Sequence, residues 1–226
     1  MTRRLAVFDF DSTLFDMLSF IPALCQAVEE MFGIDAQAFE SALKRFYVKN
    51  AAGSLVGYDI DAHLLSHGID LSESDTEVVL ANKILAVHKR LTGRSNLLFS
   101  DVAPMIRRLA ARGDTDIVIL TVNLLRGYQF KLLLCGTILA GITALVVQEN
   151  KGMLVSRLWA GGIVWDGVRY TEALVVDDHP EQISAVTNAP NVERVQIVRP
   201  GQRYPANQHG VRTAATLDEL SWPTAA

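Results

Sequence analysis

Short runs rich in valine, isoleucine and leucine alternate with helical patterns along most of this chain. These runs have the length and composition of strands buried on both faces. They fall at residues 5–8, 116–120, 142–147, 173–176 and 194–198. Strands that alternate with helices predict a parallel sheet covered by helices on both sides. The sequence therefore predicts an α/β fold with a Rossmann-like parallel sheet.

About eighty residues, roughly 16–96, separate the first apolar run from the second. Apolar residues recur there at helical spacing in three places, and no convincing strand is evident. An insertion of this length is too long for a simple crossover, so we expect a helical subdomain above the carboxyl ends of the strands. The predicted organisation is a core domain of residues 1–15 and 97–226 with an inserted helical subdomain of residues 16–96.

The first apolar run leads into two aspartates, Asp9 and Asp11, followed by Thr13. Carboxylates two residues apart at a strand end point at one target, and two such anions repel each other unless a cation lies between them. Hard oxygen ligands of this kind suit Mg2+, which readily bridges to a phosphoryl oxygen. The acids could instead only cap a turn. Polar side chains at the ends of the later predicted strands favour the first of these two interpretations, a phosphate site with its metal.

Further polar residues lie at or just beyond the later predicted strands. Thr121 ends the second run, Lys151 follows the third and opens a helical pattern, and Asp177 and Asp178 end the fourth. Ligands of parallel sheets bind outside the carboxyl ends of the strands, so we expect these side chains to converge with Asp9. Taken alone, Thr121 would be an ordinary strand-end threonine and Lys151 a surface lysine. Adjacent acids after an apolar run are costly to bury without a cation.

Charge and composition limit the possible partners. The formal net charge is -4 and no run of lysine and arginine occurs, which argues against a nucleic-acid or membrane surface. The segment before Asp9 is too short for a secretory signal, and Cys25 and Cys135 are the only cysteines, so we expect a cytoplasmic protein without structural disulfides. Residues 132–147 carry no charge but are too short for a membrane span, and we expect a helix end and a buried strand there.

Taken in order, Asp9-Phe10-Asp11-Ser12-Thr13, Thr121, Lys151 and Asp177-Asp178 resemble the motifs of the haloacid dehalogenase-like (HAD) hydrolase superfamily. The resemblance covers nearly the whole chain. It implies a HAD-like core with a small helical cap inserted between the first and second motifs, where the helical segment lies. The stretch from Thr121 to Lys151 is too short for the larger, alternative cap.

The resemblance also implies a mechanism for four of these residues. Asp9 would attack phosphorus and form an aspartyl-phosphate, which splits one difficult displacement into two easier ones. Asp11 would protonate the leaving oxygen and then deprotonate the hydrolytic water. Lys151 and the Thr121 hydroxyl would stabilise the charge on the transferring group.

The cofactor that the resemblance implies is Mg2+. It would be held by a carboxylate oxygen of Asp9, the backbone carbonyl of Asp11, and Asp178 with help from Asp177. Asp178 aligns with the metal-binding aspartate of relatives that have a glycine before it, and it is therefore expected to make the direct contact.

The predicted activity is that of a Mg2+-dependent phosphatase acting on a small phosphorylated metabolite. In the superfamily that these motifs resemble, members that cleave carbon–halogen bonds lack the second aspartate, since a halide leaves without a proton, so the resemblance implies that Asp11 disfavours this reaction. Sugar phosphomutase activity stays open, and phosphonate hydrolysis would need a cap lysine, for which Lys44, Lys49, Lys83 and Lys89 are candidates that nothing marks. A non-enzymatic, receiver-like phosphate-binding protein is a further alternative, although the motif order and the long insertion argue against it.

Substrate identity is expected to depend on the inserted segment. Candidates to face the phosphate are Phe15, Asp16, Phe20, Tyr47 and residues 50–58. Their sequence does not name a leaving group, and the oligomeric state is left open.

Overall fold

The computed structural model describes residues 3–71, 74–201, 204–206 and 210–220. The strands are β1 (Arg4–Phe8), β2 (Tyr47–Lys49), β3 (Leu55–Tyr58), β4 (Thr115–Val122), β5 (Thr143–Val147), β6 (Val164–Trp165), β7 (Val168–Arg169), β8 (Glu172–Asp177), β9 (Val192–Ile197) and β10 (Arg212–Ala214). The α-helices are α1 (Met17–Phe32), α2 (Ala36–Ala42), α3 (Ile60–Leu65), α4 (Ser74–Thr92), α5 (Val102–Ala110), α6 (Leu125–Leu133), α7 (Lys151–Leu158) and α8 (Pro180–Ser184).

The described residues form one six-stranded sheet in the order β10-β9-β8-β1-β4-β5. All of its strand pairs are parallel, which confirms the predicted α/β class. The central strand is β1, where Phe8 pairs with Ile119 of β4 on one side and with Val176 of β8 on the other. The chain therefore leaves these three strands at one edge of the sheet, where ligands of such folds bind.

Side chains of β1 alternate between two apolar clusters, one on each face of the sheet. Leu5 and Val7 join the cluster that α7 and α8 cover, whereas Ala6 and Phe8 join the cluster that contains side chains of α5 and α6. Alternation across a strand places successive residues on opposite faces. Both faces are buried, so the strand sequences are continuously apolar.

The segment between β1 and α5 contains α1 to α4, and α1 packs against α4. The expectation that this segment holds no strand was wrong. β2 and β3 pair as an antiparallel hairpin, with an irregular register between Val48 and Lys49. The strands are three and four residues long. Strands this short give almost no alternating pattern that could reveal them.

The two chain crossings between the sheet and the inserted segment lie side by side. Asp16 donates its backbone N–H to the Leu97 carbonyl at 2.8 Å, and Phe15 forms an antiparallel bridge with Leu98. Arg94 Nη2 donates to Asp16 Oδ2 at 2.5 Å. The larger apolar cluster continues from the sheet into α1 and α4. The division into residues 1–15 and 97–226 against residues 16–96 stays a prediction.

The uncharged stretch at residues 132–147 contains the end of α6, a turn and all of β5. This matches the predicted helix end and strand. Within the described part of the chain, no helix combines the length and the apolar character that membrane crossing requires.

Candidate active site

The first two candidate residues lie in a tight loop after β1. Asp9 donates its backbone N–H to the Val176 carbonyl at 2.9 Å, so the strand pairing extends to Asp9. The chain then turns sharply at Ser12, whose φ of 63° lies in the left-handed region. Strained backbone of this kind is concentrated at functional sites. The turn leaves Asp9 and Asp11 lining the same cavity.

The buried ammonium group of Lys151 links the carboxyl end of β1 to that of β8. Lys151, the first residue of α7, contacts Asp9 Oδ1 and lies with its Nζ 2.8 Å from Asp177 Oδ2. All three side chains are at least nine-tenths buried. Although burial acts to lower the pKa of Lys151, the Asp177 and Asp9 carboxylates raise it above its ordinary value. Lys151 is therefore a fixed positive charge beside Asp9.

Three carboxylates meet at this point of the sheet edge. One oxygen from each of Asp9, Asp177 and Asp178 lies within 4.8 Å of the other two. Burial raises the pKa of Asp178, and Asp9 and Asp177 raise it further. Burial likewise raises the pKa of Asp9 against the opposing charge of Lys151. Lys151 balances only part of this negative charge, and a hard divalent cation that prefers oxygen ligands, such as Mg2+, fits the donor set.

Asp177 and Asp178 differ in whether their carboxylate oxygens already have partners in the protein. Asp177 Oδ2 accepts from Lys151, and Asp177 Oδ1 accepts from the His179 backbone N–H at 2.8 Å. Asp178 lines the cavity, and its carboxylate accepts no hydrogen bond from any described residue. Asp178 is the acid whose oxygens are free to bind a cation directly.

Asp11 has partners that the sequence did not reveal. Lys131 Nζ lies 2.8 Å from Asp11 Oδ1 and 2.6 Å from Asp11 Oδ2, and Asn123 Nδ2 donates to Oδ2 at 2.9 Å. Lys131 and Asn123 are 5% and 1% exposed. The sequence signal for Lys131 is weak: a lone charge that directly precedes the uncharged stretch. Nothing local marks Asn123.

Thr121 lies in β4, two residues beyond the residue that pairs with Phe8. It is buried, and its hydroxyl oxygen has no hydrogen-bond partner among the described residues. A buried hydroxyl without a partner costs about 1–3 kcal/mol. Of the predicted side chains, Lys151 directly joins Asp9 and Asp177, and an Asp178 oxygen lies within 4.8 Å of theirs. The Asp11 carboxylate contacts Lys131 instead, and the Thr121 hydroxyl forms no hydrogen bond with a described residue.

A second buried ion pair, between Arg199 and Asp101, holds the loop that follows β1. Arg199 Nη1 lies 2.5 Å from Asp101 Oδ2, and Arg199 Nη2 donates to the Thr13 carbonyl at 2.9 Å. The Thr13 hydroxyl in turn lies 3.5 Å from Asp9 Oδ2. Sequence reasoning missed Arg199, since its partners lie about a hundred residues or more away in the chain.

A cavity of about 500 Å³ opens above these side chains. Tyr47 and most of residues 50–58 line it, as expected, together with core residues. Asn50 Nδ2 donates to the Gln148 carbonyl at 2.9 Å and ties the β2–β3 hairpin to the core. The expectation was wrong for Phe15 and Phe20, which are buried in the apolar cluster, and for Asp16, which pairs with Arg94 instead.

Solved structures share this architecture over nearly the whole chain. A protein from Burkholderia xenovorans LB400, described as a haloacid dehalogenase-like hydrolase, superposes with a TM-score of 0.58 at 15% identity and covers 98% of this chain and 100% of its own. This chain has the HAD-like fold. An L-2-haloacid dehalogenase reaches a TM-score of 0.56 at 14% identity, with 96% of each chain covered. A HAD phosphatase from Thermococcus onnurineus reaches 0.54 at 17% identity, covering 97% of this chain and 95% of its own.

Comparisons of the sequence with protein-family models and with curated proteins gave no match. The HAD-like fold confirms the resemblance that the motifs carried. The neighbours with this fold include both dehalogenases and a phosphatase, and folds host many chemistries. The activity must therefore be argued from the side chains of this site.

Proposed function

We propose that this protein is a Mg2+-dependent phosphatase that hydrolyses a small phosphate monoester through an aspartyl-phosphate on Asp9. The observation that carries the proposal is the setting of Asp11. It lies two residues from Asp9 at the same cavity, and its carboxylate contacts the Lys131 ammonium. An alkoxide leaving group needs a proton, whereas a halide does not. A site built around a second acid with a proton-bearing partner therefore favours ester hydrolysis over dehalogenation.

The first step follows from the setting of Asp9. An Asp9 oxygen bonds to phosphorus while the bond from phosphorus to the ester oxygen breaks, so the phosphoryl group moves to the enzyme. Lys151 orients the Asp9 carboxylate and faces the charge of the incoming phosphoryl group. Positioning and neutralisation of this kind supply most of the catalysis in phosphoryl transfer. We assign to the unpartnered Thr121 hydroxyl the role of donating to a phosphoryl oxygen, although Thr121 is buried and is not among the described residues that line the cavity.

The path of the proton in both steps follows from the contacts of Asp11. The leaving oxygen takes a proton that Lys131 Nζ, 2.6 Å from Asp11 Oδ2, passes on through the Asp11 carboxyl, so that Asp11 is left as a carboxylate and Lys131 has one proton fewer. In the second step Asp11 accepts a proton from water while that water attacks phosphorus and the bond to Asp9 breaks. The Asp11–Lys131 pair thus ends the cycle with the proton it began with.

Mg2+ would be held by the carboxylates of Asp9 and Asp178, by the backbone carbonyl of Asp11, and with help from Asp177. When bound it supplies positive charge for the phosphoryl oxygens. The carboxylate cluster of Asp9, Asp177 and Asp178 supports this assignment, because its buried negative charge exceeds what Lys151 balances.

The alternatives have less support. Phosphonate hydrolysis would require a cap lysine at the site, but Lys44, Lys49, Lys83 and Lys89 do not line the cavity. No contact in the described residues singles out sugar phosphomutase activity. A receiver-like binding protein would not need the long insertion that closes one side of the cavity.

The test is a panel of phosphate monoesters assayed with Mg2+, together with 2-chloropropionate as a dehalogenase substrate. We expect phosphate release and no halide release. Asp9→Asn should lower kcat at least ~10³-fold while the protein stays folded, because a covalent nucleophile has no nearby substitute. Asp166→Asn, at an exposed turn that does not line the cavity, is the matched control. Halide release, or near-normal turnover by Asp9→Asn, would overturn the proposal.

A further inference from the structure

The inserted segment gives the cavity an apolar wall. Met17, Leu18 and Ile21 of α1 line it from one side, and Leu55 and Val56 of the hairpin line it from the other. Leu18 and Leu55 are 53% and 44% exposed. Exposed apolar surface beside a reaction centre is a place where a ligand's hydrocarbon part gains by leaving water.

The cationic side chains that line the cavity among the described residues are both committed to the reaction centre. Lys151 is held between Asp9 and Asp177, and Lys131 is held by Asp11. Beyond the transferring phosphoryl group, therefore, the described lining offers no lysine or arginine that could pair with a second acidic group on a substrate.

The side chains that the core contributes beyond the reaction centre include two acids. Glu149 lies at the cavity and pairs with Arg157, which does not line it. Glu181 also lines the cavity, and its carboxylate accepts no hydrogen bond from a described residue. An anionic substituent on a substrate would meet the Glu181 carboxylate with no lysine or arginine of the described lining to compensate it, and like charges placed together reduce binding.

We infer that the preferred substrates are phosphate monoesters whose leaving alcohol has a hydrocarbon part, is neutral or positively charged, and carries no second acidic group. This inference rests on the proposed phosphatase function and adds the class of the leaving group. The cavity of about 500 Å³ lies in the range of small-molecule sites and accommodates a phosphoryl group with a modest alcohol.

The closing experiment compares three aryl phosphates of closely similar size. They are 4-ethylphenyl phosphate, 4-(aminomethyl)phenyl phosphate and 4-(carboxymethyl)phenyl phosphate, in which one methylene separates the variable group from the ring. Their phenols are similar leaving groups, so differences in kcat/KM report on binding around the substituent. We expect the carboxylated ester to be at least ~10-fold poorer than the other two.

Substitutions at residues that line the cavity should narrow the difference in kcat/KM between the carboxylated ester and the other two. Glu181→Lys and Leu55→Lys each place a cation where the alcohol would lie, and each should raise the relative kcat/KM of the carboxylated ester by ~5-fold or more. The controls change charge equally but away from the cavity: Glu40→Lys for the first, and Leu65→Lys, at an exposed position of α3, for the second. Both controls should keep the original order of the three esters.

The outcomes separate this inference from the proposed function. Turnover of the carboxylated ester equal to that of the neutral ester would overturn the inference while leaving the phosphatase intact. The inference would also fail if neither Glu181→Lys nor Leu55→Lys, when folded, shifted the ratio relative to its control. Absence of Mg2+-dependent phosphate release from all three esters and from the wider panel would overturn the proposed function itself.

Discussion

Lys131 Nζ lies 2.8 Å from Asp11 Oδ1 and 2.6 Å from Asp11 Oδ2, although 120 residues separate the two positions in the chain. Both side chains line the cavity in which Asp9 also lies. This contact gives the proposed acid and base of the reaction a partner that can supply and take back a proton. It also leads to the first prediction, because proton supply matters only when the leaving group needs it.

Lys131→Met should lower kcat by at least ~10-fold on an alkyl phosphate and by less on p-nitrophenyl phosphate, because an activated phenol departs without a proton. Lys131→Arg should restore part of the alkyl phosphate rate. Lys89→Met, at an exposed position of α4, is the control. Equal losses on both substrates would show that Lys131 only supports the fold.

Asp11→Asn should show the same dependence on the leaving group, since the amide keeps the size of the side chain but cannot pass on a proton. Steady-state kcat on the same two substrates measures the effect. Adding Lys131→Met to Asp11→Asn should then cost little more, because both changes remove one proton path. Additive losses would contradict a shared path.

Replacing Asp178 with alanine should raise the Mg2+ concentration needed for half-maximal activity more than replacing Asp177 does. Both Asp177 oxygens already accept hydrogen bonds, whereas the Asp178 carboxylate accepts none from the described residues. Mg2+ titrations of activity, with circular dichroism to verify folding, give the comparison. Identical metal dependence in the two variants and the parent would refute the assignment of the cluster.

Mg2+ should stabilise the protein more at about pH 8 than at about pH 5.5. Burial and neighbouring acids raise the pKa of Asp178, and burial raises that of Asp9. The folded, metal-free protein therefore binds protons that the unfolded chain has released above about pH 4, so its free energy of unfolding falls as the pH rises through this range. Mg2+ binds the ionised carboxylates and offsets that loss.

Melting temperatures with and without Mg2+ at the two pH values test this expectation. Asp178→Asn removes one of the titrating acids, so it should flatten the pH dependence of the metal-free protein and shrink the Mg2+ effect. A Mg2+ effect that is larger at the lower pH would contradict the expected sign.

Gly152→Ala should disturb both stability and activity. Gly152 follows Lys151 in α7, and a Cβ there would lie 2.0 Å from the Gln182 carbonyl oxygen and 2.8 Å from Ala185 Cβ. The first turn of α7 must then move away from α8, at a cost of about 1–3 kcal/mol or more, and Lys151 moves with it. Thermal melts and kcat measure the effect. Gly161→Ala, where a Cβ meets nothing within 4 Å, should be nearly silent.

The sequence alone determined five of the six strands of the sheet, all but the three-residue β10, and the order of the acidic and basic positions along them. Each of the five predicted strands exists, because a strand buried on both faces is an apolar run that can be read locally. The convergence of Asp9, Asp177 and Asp178 could be predicted because parallel strands end at one edge. Such inferences need only the residue types within a strand and the residues just beyond it.

The tertiary structure alone decided which partners hold these residues. Asn123 and Lys131 meet Asp11 across more than a hundred residues of chain, and Arg199 reaches the Thr13 carbonyl from still farther away. The β2–β3 hairpin, which lines one side of the cavity, was also missed, because its strands are too short to show an alternation of apolar and polar residues. A side chain's burial and its long-range partners depend on how the helices pack on the sheet, and no local pattern of residues encodes that packing.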